Sequence, residues 1–253
     1  MCGWADRWGM SFNVAKCKVM HVGHNNPGFD YKMGGVTLQT TSEERDIGVT
    51  MAKNLKTGAQ CKKAARTAQT VLAQLTRAFH FRDRHTFVKL YKTYVRPHLE
   101  FAVPAWAPTT REDIECLEKV QKRAVGLVSG LEGRDYESRL LELGMVTLEE
   151  RRHQIDMVQT YKILHGKDKV RREEWFTMAS ESERPTRLNA DPWNLRIPAP
   201  RLELRRSFFS QQVPALWNRV PAEIKASRTA TAFKHAYRSH RRDQMAAAQA
   251  ALG

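Results

Sequence analysis

Hydrophobic and polar positions change their period along the chain. From residue 12 to residue 50, short apolar runs alternate with turn residues, which predicts strands and hairpins rather than helices. We expect strands over residues 16–22 and 46–51, and a hairpin over residues 31–38 with two glycines at its turn. A few antiparallel strands of this size cannot bury a generous core alone, so they need a partner layer.

Beyond residue 57 the apolar positions recur every three or four residues, which is typical of amphipathic helices. The predicted helices cover residues 59–79, 84–96, 110–128, 148–164 and 230–242. The second of them is expected to end before Pro97, which lacks the backbone N–H that a helix interior needs, and to turn Tyr91 and Tyr94 inward. Aromatic residues at this spacing indicate core packing rather than base stacking.

The start of the fourth long helix carries two signals. Thr147 and Glu150 have the spacing of a capping box, in which each side chain bonds to the backbone of the other residue. Arg151 and Arg152 lie in the first turn, where the helix dipole disfavours cations. They are either a solvated pair beside Glu149 and Glu150 or face an acid or a phosphate.

Together these elements predict an α+β fold that is mostly α. Residues 1–57 are expected to form a small antiparallel β unit, residues 58–130 a helical bundle, and residues 131–253 a helical segment. Within that last segment, residues 167–202 are rich in charge, Ser, Thr and Pro and are expected to form an irregular connector, with at most a short β piece near Leu195.

Charge adds an expected partner. The formal net charge is +15, and it divides into +2 for residues 1–57, +7 for 58–110, −1 for 111–170 and +7 for 171–253. Two basic blocks indicate surfaces that meet polyanions, because neutralising phosphates releases counterions. The alternative is a soluble protein that is basic without such a partner.

Candidate contacts to nucleic acid follow from the placement of these cations. The helix over residues 59–79 carries basic residues on the face opposite its apolar stripe, namely Lys62, Lys63, Arg66 and Arg77. Arg205 and Arg206 precede Phe208 and Phe209, a composition that suits nucleic acid by charge and stacking. The same composition suits a helix that docks its aromatic side chains on the body of the fold.

Other classes of site and location are less favoured. The four cysteines have no CxxC spacing, which indicates thiols in a reducing compartment. Cys17, His21 and His24 have the spacing of metal ligands, but no fourth ligand follows, so no zinc site is expected. Neither a signal sequence nor an apolar run of about 20 residues is present, and we expect an intracellular protein, nuclear or cytoplasmic, without a membrane partner.

Several collinear motifs resemble those of one family. The run Trp8-Gly9-Met10-Ser11-Phe12-Asn13, followed by Lys16-Cys17-Lys18-Val19-Met20, resembles motif D of reverse transcriptases from non-LTR (LINE-type, jockey-like) retrotransposons. Arg45-Asp46-Ile47-Gly48-Val49 resembles their motif E, the primer grip. Similarity to their thumb region is found in residues 91–102, Trp106, Pro108 and residues 117–124. Similarity to the segment beyond the thumb is found in residues 136–140, 148–152, 161–166, 208–210 and 217–221.

This resemblance implies the C-terminal portion of an RNA-directed DNA polymerase, with an RNA template and a DNA primer as partners. It adds Lys16, from motif D, and Gly48, from the primer grip, to the candidate nucleic-acid contacts. The palm half that carries the catalytic residues is a further expected partner.

The family uses two magnesium ions held by aspartates, including an Asp-Asp pair upstream of motif D. The chain contains no Asp-Asp pair, and Asp6, Asp30 and Asp46 do not match those motif positions. We therefore expect no catalytic residue, no metal ligand and no cofactor in this chain, with Mg²⁺ bound only when the missing palm half is present. Polymerase activity of the isolated chain is not expected.

Two alternatives remain at the level of sequence. A degenerate or domesticated retroelement product could act as a protein-interaction or structural module. An active polymerase would require another chain to supply the aspartates.

Overall fold

The structure is a computed structural model, and it describes residues 2–23, 25–181 and 187–250. Helices account for 56% of the protein, and the strands are few and short. This confirms the predicted fold class, α+β and mostly α. The strands are β1 Lys18–Val19, β2 Lys32–Met33, β3 Val36–Thr37, β4 Gln39–Thr40, β5 Glu43–Asp46 and β6 Val49–Ala52.

The α-helices vary from one turn to six. They are α1 Cys2–Arg7, α2 Gly58–Ala78, α3 Arg84–Leu90, α4 Arg96–Glu100, α5 Val103–Trp106, α6 Arg111–Gly126, α7 Tyr136–Glu142, α8 Leu148–Leu164, α9 Glu203–Arg206, α10 Phe209–Trp217, α11 Ala222–Lys225 and α12 Ala230–Ala250.

The strands form three separate pairs. The predicted hairpin is present as the antiparallel pair β2–β3, whereas β1 and β4 run parallel to each other. The strand expected over residues 16–22 is shortened to β1, since Val14–Lys16 forms a 3₁₀ turn. The single strand expected over residues 46–51 is wrong: the chain reverses at Ile47 and Gly48, and β5 pairs antiparallel with β6.

A first hydrophobic cluster holds α2 to α8 together. Its largest fully buried side chains are Leu72, Phe87, Tyr91, Leu99, Leu117, Leu131 and Leu148. Each such side chain contributes about 1.5–3 kcal/mol when it leaves water. Helix α2 agrees within one residue with its predicted bounds. Thr110 caps α6, as predicted, by accepting a hydrogen bond from the backbone N–H of Asp113.

The helix expected to end before Pro97 instead continues to Glu100. Residues Tyr91–Val95 form a π-helical turn, in which the N–H of Arg96 donates to the carbonyl of Tyr91. Pro97 is the second residue of α4, directly after the π turn, so the helix passes the proline instead of ending before it. Tyr91 is buried as predicted, but Tyr94 is 54% exposed, because the π turn rotates it out of the core.

Helix α8 connects this cluster to a second one, so it is buried on several sides. Thr147 accepts from the N–H of Glu150 over 3.1 Å, which is half of the predicted capping box. The other half is wrong, because the Glu150 carboxylate binds Arg241 of α12 at 2.6 Å. The helix ends as predicted before Gly166, whose φ is +62°.

The second cluster packs α8 against α10 and α12 around Tyr161, Trp217 and Phe233. The connector over residues 167–202 contains 3₁₀ turns, and the β piece expected near Leu195 is a single bridge to Met178. The final helix extends beyond its predicted end at residue 242, to Ala250. The proposed domain boundary between residues 130 and 131 stays a prediction.

Candidate nucleic-acid interface

One face of α2 is exposed and basic. Its cations, all exposed, are Lys62, Lys63, Arg66 and Arg77. At 3.6 residues per turn they lie within about 100° of one another around the helix axis. The opposite face, which includes Ala68 and Leu72, is buried in the first cluster. Helix α2 therefore packs on one side and presents cations to solvent on the other, as the sequence predicts.

One of these cations has an acidic neighbour. Lys62 Nζ lies 3.6 Å from Glu112 Oε1, and both side chains are mostly exposed. Exposed ion pairs of this kind contribute about 0–1 kcal/mol, so the pair does not prevent Lys62 from meeting a phosphate.

The β5–β6 hairpin is attached to this basic face. The N–H of Thr50 donates to Gln60 Oε1 at 2.8 Å, and Lys63 Nζ donates to Thr50 Oγ1 at 3.1 Å. Arg45 is the direct partner of Thr50 across the two strands, so the two side chains leave the same face of the hairpin. The α2–hairpin surface, defined as Arg45, Lys62, Lys63, Arg66 and Arg77, therefore combines a strand and a helix.

The tip of the hairpin requires glycine. Ile47 and Gly48 have φ of +44° and +90°, the signs of a type I′ turn. A Cβ on Gly48 would lie 3.1 Å from a ring carbon of Phe101. Gly48 thus serves both the turn and the close approach of the hairpin to the residue that follows α4, while Ile47 projects into solvent.

Other predicted contacts lie apart from α2. Lys16 is exposed at the end of the 3₁₀ turn before β1. Two residues later, Lys18 Nζ pairs with Glu44 of β5 at 3.3 Å, which places this segment beside the hairpin. Lys16 thus lies two residues from a contact with β5, and no hydrogen bond or ion pair among the described residues joins it to Gly48 or to α2.

The segment around α9 has features of both hypotheses raised for it, contact with nucleic acid and docking of aromatic side chains on the fold. Arg205 and Arg206 are exposed, and Arg206 pairs with Glu203 at 3.0 Å. Phe209 is buried and packs edge to face on Phe176, with ring centroids 5.7 Å apart. The docking of an aromatic side chain on the fold is therefore seen for Phe209, while the two arginines face solvent.

The adjacent arginines of α8 do not form the solvated pair that is the simpler prediction from sequence. Arg151 binds both carboxylate oxygens of Glu100, at 2.8 and 2.9 Å. Arg152 is only 5% exposed, and its Nη1 and Nη2 have no hydrogen-bond partner among the described residues. Arg151 therefore faces an acid, which is the other alternative, and Arg152 faces the interior.

A second basic surface, which the sequence did not reveal, lies between α8 and α12. We define the α8–α12 groove by four cations that line it and two beside it: Arg151, Lys162, Lys234, Arg238, Lys92 and Arg96. Its cavity has a volume of about 170 Å³, and Ile155 and Val158 form an apolar part of its lining.

The charge in this groove is strongly unbalanced. Glu100 is the one described carboxylate within 4 Å of any of the six cations, and both Arg96 and Arg151 bind it. Glu150 and Asp168 accept hydrogen bonds from groove-lining glutamines, but Glu150 is already paired with Arg241. Four of the six cations thus have no carboxylate partner within the described part of the chain.

The pKa values in the groove reflect this imbalance. Burial lowers the pKa of Lys234, and the positive charges of Arg238 and Arg151 lower it further. Burial likewise lowers the pKa of Lys92, with Arg96 and Arg151 adding to the effect. Each charged lysine is therefore destabilised by its cationic neighbours, and an anion would relieve this repulsion.

The early aspartates lie on different elements of the fold. Asp6 lies in α1, Asp46 ends β5, and Asp30 precedes β2. Among the described residues, no three His, Cys, Asp or Glu side chains gather as metal ligands. His24, one of the three residues with ligand-like spacing, lies outside the described part.

No helix within residues 2–23, 25–181 and 187–250 is long and apolar enough to cross a membrane. Comparison of the chain with protein-family models, curated proteins and solved structures finds no significant match.

Proposed function

We propose that this chain is a nucleic-acid-binding portion of a reverse transcriptase similar to those of non-LTR retrotransposons, and that it binds an RNA template paired with a DNA primer. The observation that carries the proposal is the α2–hairpin surface. There, the β5–β6 hairpin, whose residues 45–49 resemble the primer grip, is hydrogen-bonded to the cationic face of α2 through Lys63 and Thr50. Exposed cations arranged along a helix bind the phosphates of a nucleic-acid backbone.

The length of the cationic face of α2 suits a polyanion. Lys62 and Arg77 are 15 residues apart, which corresponds to about 22 Å along the helix axis. Successive phosphates of one strand are separated by about 3.4 Å along a duplex axis, so the face of α2 spans several of them. Phosphate contacts carry little sequence information, and the proposed binding is therefore salt-sensitive and tolerant of sequence.

A fluorescence-anisotropy titration of a labelled RNA–DNA hybrid, repeated across KCl concentrations, tests this proposal. The triple variant Lys62→Glu, Lys63→Glu and Arg66→Glu should bind at least 10-fold more weakly. The slope of log K against log salt should fall in magnitude by about 0.9 for each phosphate that the variant no longer neutralises. Glutamate is a good helix former, so α2 should persist, as circular dichroism can verify.

A matched control carries the same change in charge elsewhere. Lys167, Lys169 and Arg228 are exposed and belong to the C-terminal half of the chain. Their triple replacement by Glu should change affinity much less than the α2 variant does. An equal decrease in affinity in the two variants would mean that net charge, rather than the α2–hairpin surface, governs binding.

A second candidate function, a protein-interaction module, is favoured by a different observation. Several large apolar side chains near the N-terminus are exposed, among them Trp4, Trp8, Phe29 and Tyr31. Trp4 and Trp8 are four residues apart at α1, and exposed apolar side chains that lie together favour contact with another protein. If the chain is part of a reverse transcriptase, the partner at these side chains is the palm half that carries the aspartates.

Substitutions on the two surfaces distinguish the two candidate functions. Trp4→Ser with Trp8→Ser should leave hybrid binding unchanged and reduce association with a separately expressed palm half of a related polymerase. The α2 variant should show the reverse pattern. If the α2 variant keeps hybrid binding, the protein-interaction module becomes the better account.

A further inference from the structure

We propose that the α8–α12 groove is a second binding site for the phosphodiester backbone of a nucleic acid. The inference rests on the proposed function, and it extends the binding from the α2–hairpin surface to cations on α8 and α12. It starts from an excess of positive charge at a place where the fold itself does not use that charge.

The excess of charge is built into three parts of the chain. Lys92 and Arg96 come from the π turn and the start of α4, Arg151 and Lys162 from α8, and Lys234 and Arg238 from α12. Residues that are up to 146 positions apart in the sequence thus meet in one groove. Cations brought together in this way repel one another, and a ligand that carries several negative charges lowers the free energy of the arrangement.

The fold also orients some of these donors in advance. The bidentate bond to Glu100 holds the guanidinium of Arg151 in one position. Arg238 Nε is buried and has no acceptor among the described residues. Arg238 lines the groove and makes no hydrogen bond within the described residues, so the outer nitrogens of its guanidinium can donate charge-assisted hydrogen bonds to a phosphate oxygen.

The shape of the groove favours a chain of phosphates over a single anion. Arg151 and Lys162 lie on one face of α8, separated by 11 residues and therefore by about 16 Å along the axis. Lys234 and Arg238 lie one turn apart on α12, about 6 Å along its axis. A single phosphate cannot reach both ends of such a row, whereas one strand of a nucleic acid can contact the cations in succession.

Hybrid binding by a groove variant provides the first test. Lys162→Glu with Lys234→Glu should weaken anisotropy-detected binding of the labelled RNA–DNA hybrid about 10-fold or more. It should also reduce the magnitude of the salt slope by about 2, since two phosphates are no longer neutralised. The matched control is Lys119→Glu with Arg123→Glu, two exposed cations of α6 outside the groove. Binding of the groove variant that equals that of this control would overturn the inference.

Lysine footprinting tests the groove without any substitution. In the wild-type chain, the hybrid should slow acetylation of Lys162 and Lys234 by an amine-reactive reagent, measured by mass spectrometry. Lys119 should react at the same rate with and without the hybrid. Unchanged acetylation of Lys162 and Lys234 at saturating hybrid would contradict the site even if the groove variant proved unstable.

The outcomes separate this inference from the proposed function. If the α2 variant loses binding and the groove variant does not, the function stands and the groove has no part in it. If the wild-type chain fails to bind the hybrid near physiological salt, both proposals are wrong. Protection of the groove lysines by vesicles containing phosphatidylserine, with none by the hybrid, would assign the groove to a membrane surface and overturn the inference.

Discussion

Lys63 and Thr50 join the two parts of the proposed interface, since Lys63 Nζ donates a hydrogen bond to Thr50 Oγ1 over 3.1 Å. The bond holds a long, exposed side chain of α2 against the β5–β6 hairpin. A lysine that is already ordered loses less side-chain entropy when it meets a phosphate. The hairpin therefore contributes to the cationic surface by positioning Lys63 as well as by presenting Arg45.

The tip of that hairpin provides the first prediction. Gly48→Ala should destabilise the fold by about 1–3 kcal/mol, because alanine must adopt φ near +90° and place its Cβ about 3.1 Å from the Phe101 ring. Urea unfolding measures the decrease in stability. Gly35→Ala is the matched control, since Gly35 also has positive φ but nothing lies within 4 Å of its added Cβ. Equal destabilisation of both variants would show that the approach of Phe101 adds nothing.

A buried polar network among the helices provides the second prediction. Gln121 is fully buried; its Oε1 accepts from the Tyr91 hydroxyl at 2.9 Å, and its Nε2 donates to the Val146 carbonyl at 3.0 Å. Gln121→Leu keeps the approximate side-chain volume but leaves the Tyr91 hydroxyl and the Val146 carbonyl without this hydrogen-bond partner. This should lower the free energy of unfolding by about 2–4 kcal/mol. Thermal and urea unfolding should both detect this decrease in stability. Gln74→Leu, on the exposed face of α2, should change stability by no more than about 0.5 kcal/mol.

These elements show which parts of the fold a sequence can reveal. Helices α2 and α6 follow directly from their apolar period and from Thr110, because packing and capping there agree with local pattern. The π turn before Pro97 does not follow, since it depends on how the chain packs after the helix has formed. The turn at Ile47 does not follow either, because isoleucine with positive φ contradicts the local preference of a β-branched residue.

The candidate site divides in the same way. The cations of α2 are neighbours on one helix, so a helical period finds them. Each helix of the groove shows only one pair of these cations in its own period, and the pairs of α8 and α12 meet because α12 returns to pack on α8. Likewise, Glu100 binds Arg151 across 51 residues of sequence, a contact that no local motif encodes.

The third prediction concerns that pair and has two opposite effects. Glu100→Gln leaves the largely buried Arg151 without its carboxylate, which should lower the free energy of unfolding by about 2–4 kcal/mol. The same change removes the one carboxylate, among the residues that the structure describes, that pairs with cations of the groove. Hybrid binding should therefore become several-fold tighter and more dependent on salt, as anisotropy below the unfolding temperature would show.

Glu115→Gln is the control for this variant, because Glu115 forms an exposed pair with Arg111 on α6. It should alter stability by about 0.5 kcal/mol or less and leave hybrid binding unchanged. A Glu100→Gln protein that is less stable but binds no more tightly would indicate that groove charge does not contribute to affinity.

The fourth prediction concerns catalysis. The purified chain should add no nucleotide to a primed RNA template in the presence of Mg²⁺, because it contains no Asp-Asp pair and none of its early aspartates matches the metal-binding motifs of the resembled family. A gel-based primer-extension assay measures this, with an intact reverse transcriptase as the positive control. Incorporation that copurifies with the chain would refute the assignment of the catalytic aspartates to another part of the polymerase.

The fifth prediction concerns a buried carboxyl on α8. Asp156 is 4% exposed, and its Oδ1 has no hydrogen-bond partner among the described residues. Burial raises its pKa from 3.8 to about 7, although the charge of Arg152, one turn away, opposes the shift. Arg152, His153 and Glu149 line the same cavity, of about 230 Å³.

The sign of the pH dependence follows from that shift. Between about pH 4 and pH 7 the unfolded chain loses the Asp156 proton while the folded chain keeps it, so stability falls as pH rises and the full penalty is present above pH 7. Asp156→Asn removes this titration, and urea unfolding should show little gain at pH 4.5 but roughly 2–4 kcal/mol at pH 8. Asp243→Asn, an exposed change on α12, should leave the pH profile of stability unaltered. A gain from Asp156→Asn that is the same at both pH values would mean that its cause is packing, not ionisation.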